Sequence, residues 1–212
     1  MIFKDRNEAA QLLTTKLAKY ANTEGVILAI PRGGVPLGFI IAQELNLPLE
    51  IILSKKIGHP YHKEFAIGAT TLKGRILSAA AADISPVYIE EETARIRELL
   101  KKRYTEYYGN QKPLLLKDKI LIIVDDGIAT GNTILSTIKM LADEKPKKIV
   151  IAIPVAPPSA LQKLQDSPYI DEVICLLTPV NFQAVGQFYQ NFDQVDDNEV
   201  KRLLKINENR LL

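Results

Sequence analysis

The chain is poor in the residues that staple or metallate small folds. Among 212 residues there are one cysteine, two histidines and no tryptophan. A lone thiol, Cys175, rules out an internal disulfide framework and a cysteine-rich zinc site, and its neighbours Ile174 and Leu176 suit a buried structural thiol. His59 and His62 share one polar loop with Glu64, lack the helical HxxxH-type spacing of a metal motif, and read as surface residues. No apolar run approaches the roughly 18 residues needed to cross a bilayer. Met1 to Arg6 lacks the apolar region of a signal peptide, so a cytoplasmic location and no membrane partner are expected. With 27 basic against 25 acidic residues the net charge is only +2, so no overall field draws the chain to nucleic acid, and such a partner is not expected.

What is present suits one well-buried domain. Hydrophobic content of 47% and charged content of 25% are ordinary for a globular α/β protein, and the length favours a single domain over 1–212. A helix is expected from Asp5 to Tyr20. Strands are expected at 26–30, 49–53, 120–124, 148–156 and 172–177, each a short apolar run of the kind buried on both faces. Between them lie a glycine turn, Pro31 to Gly38, leading into a helix from Phe39, and a short strand and hairpin turned at Gly74. A long charged helix is expected from Val87 to Tyr108, with Glu91–Arg95 and Glu98–Lys102 spaced as i,i+4 pairs. Five strands alternating with helices predict a doubly wound, mainly parallel five-stranded sheet, with ligands at the carboxyl ends of its strands.

One stretch carries most of the chemistry. Ile120 to Val124 ends in Asp125-Asp126, then Gly127-Ile128-Ala129-Thr130-Gly131-Asn132-Thr133 opens the next helix. The N–H groups of such a loop, with the positive end of its helix, make an anion site that needs no cationic side chain. The carboxylates are unsuited to phosphate and should face hydroxyl groups or a hydrated metal ion on the same ligand. A plain strand-turn-helix junction, with Thr130 or Asn132 as helix cap, would explain one polar side chain and not the ordered run.

Val124 to Thr133 resembles the phosphoribosyl-pyrophosphate signature of the type I phosphoribosyltransferases. Arg32-Gly33-Gly34 stands where that family has a second, pyrophosphate-binding loop, and the Lys56–Pro60 and Glu64–Ala69 runs are similar to those of a subgroup of phosphoribosyltransferase-like proteins. The resemblance implies a core at about 24–177, a small hood from 1–23 and 178–212, and a mobile insertion at about 81–117. It implies transfer of the phosphoribosyl group from 5-phosphoribosyl 1-pyrophosphate to a nitrogenous base, in nucleotide synthesis or salvage. Asp125 and Asp126 would hold the ribose hydroxyls and, through water, Mg²⁺. Gly127, Ile128, Ala129, Thr130, Gly131, Asn132 and Thr133 would hold the 5′-phosphate, and Arg32, Gly33, Gly34 and Lys56 the pyrophosphate. Lys55 and Lys56 point to opposite faces of an extended strand, so at most one reaches the site, and Lys56 is taken. An acid that contacts purines in some relatives is replaced by Ala129, which weakens a purine assignment, and an aromatic among Phe182, Phe188, Tyr189 and Phe192 would stack on the base. Relatives are usually homodimers. Two alternatives are a sugar-phosphate-binding regulator without turnover and a hydrolase using Asp125 as nucleophile.

Overall fold

Along each central strand, alternate side chains leave for opposite faces of one sheet. On β1 (Gly25–Ala29), Ile27 and Ala29 join one buried cluster while Val26 and Leu28 join another. β6 (Ile120–Val124) divides the same way, Ile122 and Val124 against Leu121 and Ile123, as does β7 (Lys148–Val155). With both faces covered, these strands need continuous apolar runs, which is what made them legible. The computed structural model describes residues 2–211. Its main sheet has the order β2-β1-β6-β7-β8, with β2 (Leu49–Ile51) and β8 (Glu172–Leu177) at the edges and every pairing parallel. Helices α1 (Arg6–Leu17), α2 (Gly34–Leu45) and α6 (Asp197–Leu211) cover one face, and α4 (Asn132–Ala142) and α5 (Pro158–Gln165) the other. The α/β fold is thus the doubly wound parallel one expected.

Strand order reverses between β1 and β6: from β1 the chain steps to β2 on one side, then returns to β6 on the other and continues outward to β7 and β8. The crevice above the carboxyl ends of β1 and β6 is the topological switch point, where open α/β sheets bind ligands. Residues 30–33 and 125–131 connect from those ends.

A second, antiparallel sheet stands beside the first. It comprises β3 (Ser54–Gly58), β4 (Ala66–Thr71) and β5 (Arg75–Leu77) in that order. Helix α3 (Pro86–Tyr108) packs on it through a separate core containing Ile57, Ile67, Ile89, Ile96 and Leu100. The expected hairpin therefore gains a third strand: of the run 49–53 only Leu49 to Ile51 is strand in the main sheet, and after Ile52 and Leu53 the chain enters β3 at Ser54. The i,i+4 pairs expected on α3 are replaced by Arg95–Glu92 at 2.7 Å within the helix and by Arg75–Glu90 at 2.7 Å to β5. Of the terminal segments expected to make a hood, α1 and α6 lie in the helix layer on α2, and the stretch 182–193 lies over the acidic pair. No helix among the described residues is long and apolar enough to cross a membrane.

Candidate active site

The loop after β6 is held at its start and open at its end. The Ile128 N–H donates to the Val155 carbonyl at 2.9 Å and its side chain is buried, while a side chain at Gly127 would strike Val185 and Val155. These two residues anchor the loop and meet the crevice through their backbone. Gly131 adopts φ +77°, a left-handed conformation that favours glycine, and caps α4 without a side-chain hydrogen bond. Neither Thr130 nor Asn132 caps the helix, so capping does not account for these polar side chains. The first N–H groups of α4 have no partner inside their own helix, and Thr130, Asn132 and Thr133 are exposed around them. Lys163 of α5 lies alongside, its Nζ 3.5 Å from the Thr130 carbonyl and 3.4 Å from Asn132 Oδ1.

The two carboxyls at the end of β6 have different surroundings. Asp125 lines the cavity beside the loop, and the hydrogen bond that fixes it among the described residues comes from the Asp126 N–H to its Oδ1 at 2.9 Å. Burial, and then the charge of Asp126, push Asp125 well above the ordinary carboxylate range. Asp126 is gripped by the N-terminal helix: Arg6 Nη2 and Nε donate to its Oδ2 at 2.8 and 3.0 Å. Burial raises Asp126 as well, although hydrogen bonds and charge from Arg6 oppose it. The same arginine donates to the Asp193 carbonyl at 2.7 Å and lies 4.0 Å above the Phe192 ring, and the Tyr189 hydroxyl donates to the Asp126 carbonyl at 2.6 Å. The Phe192 face is therefore covered by Arg6, and Phe182 stacks on Phe188.

Helix α2 begins at Gly34, shortly after β1 ends at Ala29 and earlier than the sequence suggests, because its first turn fits directly against β6. A Cβ at Gly34 would sit 2.5 Å from the Val124 carbonyl, and one at Gly33 would sit 2.0 Å from Asp126 Oδ2. The glycine pair was expected to let backbone approach a ligand; the close approach seen is to the acidic strand end itself. Arg32 stands beside it, lining a larger cavity with Lys55, Lys102 and Arg103. Lys56 does not line this cavity. It points away on β3 and its Nζ meets the Glu64 carboxylate at 2.7 Å, so the strand's alternation puts Lys55, not Lys56, toward the crevice.

The smaller cavity, about 150 Å³, spans Asp125 and the loop from Gly127 to Gly131; the larger, about 810 Å³, spans the cations. They share Ile30 and Thr133, so a ligand with phosphate at one end and a second anionic group at the other can bridge them. No three His, Cys, Asp or Glu side chains among the described residues converge as a metal cage. Mg²⁺ bound together with phosphates needs only one or two carboxylates and otherwise keeps water, and Asp125, facing the cavity with one oxygen spent on backbone, fits that requirement.

Sequence reasoning missed Arg6, Lys163 and Asp197, which come to the crevice's rim from α1, α5 and α6, preferred Lys56 to Lys55, and named Tyr189 only as a ring to stack on a base, where its hydroxyl instead holds the Asp126 carbonyl. Their partners are distant in sequence, 120 residues for Arg6 and Asp126, and no spacing rule covers such separations.

Comparison with known proteins agrees with this architecture. The family model described as phosphoribosyl transferase domain matches residues 2–187. Two Mycobacterium tuberculosis proteins, from strains CDC 1551 / Oshkosh and H37Rv and provisionally named phosphoribosyl transferases, are each 35% identical over 214 residues, covering 96% of this chain. The chain spans about half the length (46%) of these curated relatives. The crystal structure of TT1426 from Thermus thermophilus superposes with a TM-score of 0.84 at 35% identity, covering 96% of this chain and 98% of that one. A family model over most of the chain, and relatives of this identity along nearly all of it, mean that the chain belongs to the phosphoribosyl transferase domain family.

Proposed function

We propose that this chain transfers the phosphoribosyl group of 5-phosphoribosyl 1-pyrophosphate to a nitrogen nucleophile, releasing pyrophosphate, as a glycosyltransferase of the pentosyl class. The observation that carries the reading is the pair of adjoining cavities above β1 and β6, one lined by an acid and a phosphate-type loop, the other by cations. In it, the open N–H groups and hydroxyls of Ala129 to Thr133 take the 5′-phosphate and Asp125 takes a ribose hydroxyl. Asp126 offers Oδ1, because Arg6 occupies Oδ2. Arg32 and Lys55 take the pyrophosphate.

Displacement at C1 passes through a state with oxocarbenium character and asks little covalent help of the protein. Fixing the phosphate and the ribose hydroxyls aligns C1 between leaving group and nucleophile. Carboxylates near the ribose favour developing positive charge, and cations at the far end favour the departing pyrophosphate. When bound, Mg²⁺ would neutralise part of the diphosphate charge, with Asp125, directly or through water, as the residue to hold it. The acceptor base is left unnamed by this reading, and Ala129 argues against a purine.

One observation favours a second reading, a binding protein without turnover: one carboxylate oxygen of Asp126 is already committed to Arg6. Pyrophosphate release separates the two. With 5-phosphoribosyl 1-pyrophosphate, Mg²⁺ and a panel of pyrimidine, purine and pyridine bases, release stimulated by one base and lost in Asp125→Asn supports the transferase. Saturable binding with no release under any base supports the regulator.

A further inference from the structure

One wall of the larger cavity is α3, and it carries cations to which the transfer reaction above gives no role. Lys102 and Arg103 reach the cavity from this helix, opposite Arg32 at the end of β1 and Lys55 at the start of β3. Four cations against one carboxylate, Glu106, is a strong local excess in a chain of net charge +2. Like charges around one cavity repel, so the arrangement needs an anion. Within the chain Asp197, at the start of α6, supplies one: its Oδ1 accepts from Arg103 Nη2 at 2.5 Å and from the Tyr107 hydroxyl at 2.6 Å, and lies 4.0 Å from Arg32 Nη1. A single carboxylate oxygen thus holds two guanidinium groups from two different elements at the edge of the cavity.

We propose that Arg103 and Lys102, with Lys55, complete the diphosphate cradle that Arg32 begins, and that Asp197 is the internal anion that balances both arginines until the diphosphate takes its place. This rests on the donor reading above. The cradle selects a ligand with a second, distal anionic group and is indifferent to the 5′-phosphate, which has its own loop. Arg103 is the stronger contributor, because a guanidinium offers several donors in a fixed fork; Lys102 is an exposed point charge.

The test is calorimetric titration of the full chain, with Mg²⁺, by 5-phosphoribosyl 1-pyrophosphate and separately by ribose 5-phosphate, which lacks the diphosphate. Arg103→Gln should weaken the first about tenfold and leave the second within about twofold; Lys102→Gln should weaken the first about threefold, less at high salt. Asp197→Asn should bind the diphosphate ligand as tightly as the unaltered chain or more tightly, since a competing carboxylate is gone. A merely structural Arg103–Asp197 pair gives the opposite pattern, both variants weakening both ligands alike, and that result overturns the proposal. An unchanged ratio of the two affinities in Arg103→Gln overturns it too. If thermal melting shows that Arg103→Gln does not fold, Lys102→Gln, at an exposed position of α3, decides by the same ratio. Failure of the unaltered chain to bind 5-phosphoribosyl 1-pyrophosphate sinks the donor reading and the cradle together, whereas binding with unchanged variants sinks the cradle alone.

Discussion

The two ends of the crevice are built differently. At the end proposed for the 5′-phosphate, Ala129 to Thr133 present N–H groups and hydroxyls without hydrogen-bond acceptors among the described residues, and the helix they open has no side-chain cap. At the end proposed for ribose and diphosphate the charged groups already hold internal partners of opposite charge: Arg6 on Asp126, and Asp197 on Arg103. Tyr107 belongs to the second pair; burial and its hydrogen bond to Asp197 push its hydroxyl up to about 12. The first end is a local device that one short run of consecutive residues specifies. The second depends on distant segments folding together, so changes there should cost stability as well as binding.

That contrast can be broken first at Gly34, where the largest effect is expected. Gly34→Ala puts a methyl 2.5 Å from the Val124 carbonyl, a backbone atom in the central strand that cannot yield cheaply, and should cost about 3 kcal/mol in urea unfolding. Removing the Arg6 side chain leaves a largely buried carboxylate without its cation; Arg6→Ala should cost about 2 kcal/mol in the same assay, while Arg6→Lys restores part of it. At the phosphate end the signature should invert. Thr130→Ala should move stability by less than about 0.5 kcal/mol, yet weaken ribose 5-phosphate binding by about 1 kcal/mol in calorimetry.

How legible each end was in the sequence follows from the same contrast. The parallel sheet and the loop announced themselves because buried central strands require unbroken apolar runs, and because glycine, threonine and asparagine in order make an anion-binding turn. The passage from β2 into a second sheet was hidden, since only Ile52 and Leu53 separate Ile51 from β3 and an apolar pattern does not say which sheet a strand joins. Arg6 and Asp197 were invisible for a different reason. Each lies in an ordinary amphipathic or charged helix, and its role is set by a partner far along the chain. Lys55 faces the larger cavity and Lys56 faces Glu64 because β3 pairs Lys55 with Thr70 and Lys56 with Ala69 of β4, a phase the strand's own residues do not reveal.

Two smaller effects mark the boundary of the comparison. Away from the crevice, burial opposes ionisation of Glu172 but is outweighed by hydrogen bonds from Lys19, Tyr20 and Lys148, which hold its pKa down to about 2 from an ordinary 4.5. A depressed carboxyl stabilises the fold above its unfolded value, and the contribution is lost as pH falls from about 4.5 toward 2. Glu172→Gln should therefore cost about 1 kcal/mol at neutral pH, after allowing for solvent screening, and flatten the acid limb of stability in that window, with no change in ligand affinity. Least of all, Lys56→Ala breaks an ion pair with the exposed Glu64 and should change stability by under about 0.5 kcal/mol and binding not at all, whereas Lys55→Ala should weaken the diphosphate ligand.

The most direct measurement of the central claim is calorimetric titration of 5-phosphoribosyl 1-pyrophosphate with Mg²⁺ into the intact chain and into an Asp125→Asn, Asp126→Asn variant shown to be folded. Saturable one-site binding by the intact chain, abolished or weakened at least about a hundredfold in the variant, is the result required of a sugar-phosphate site at the end of β6. Equal binding by both proteins, or none by the intact folded chain, would contradict it.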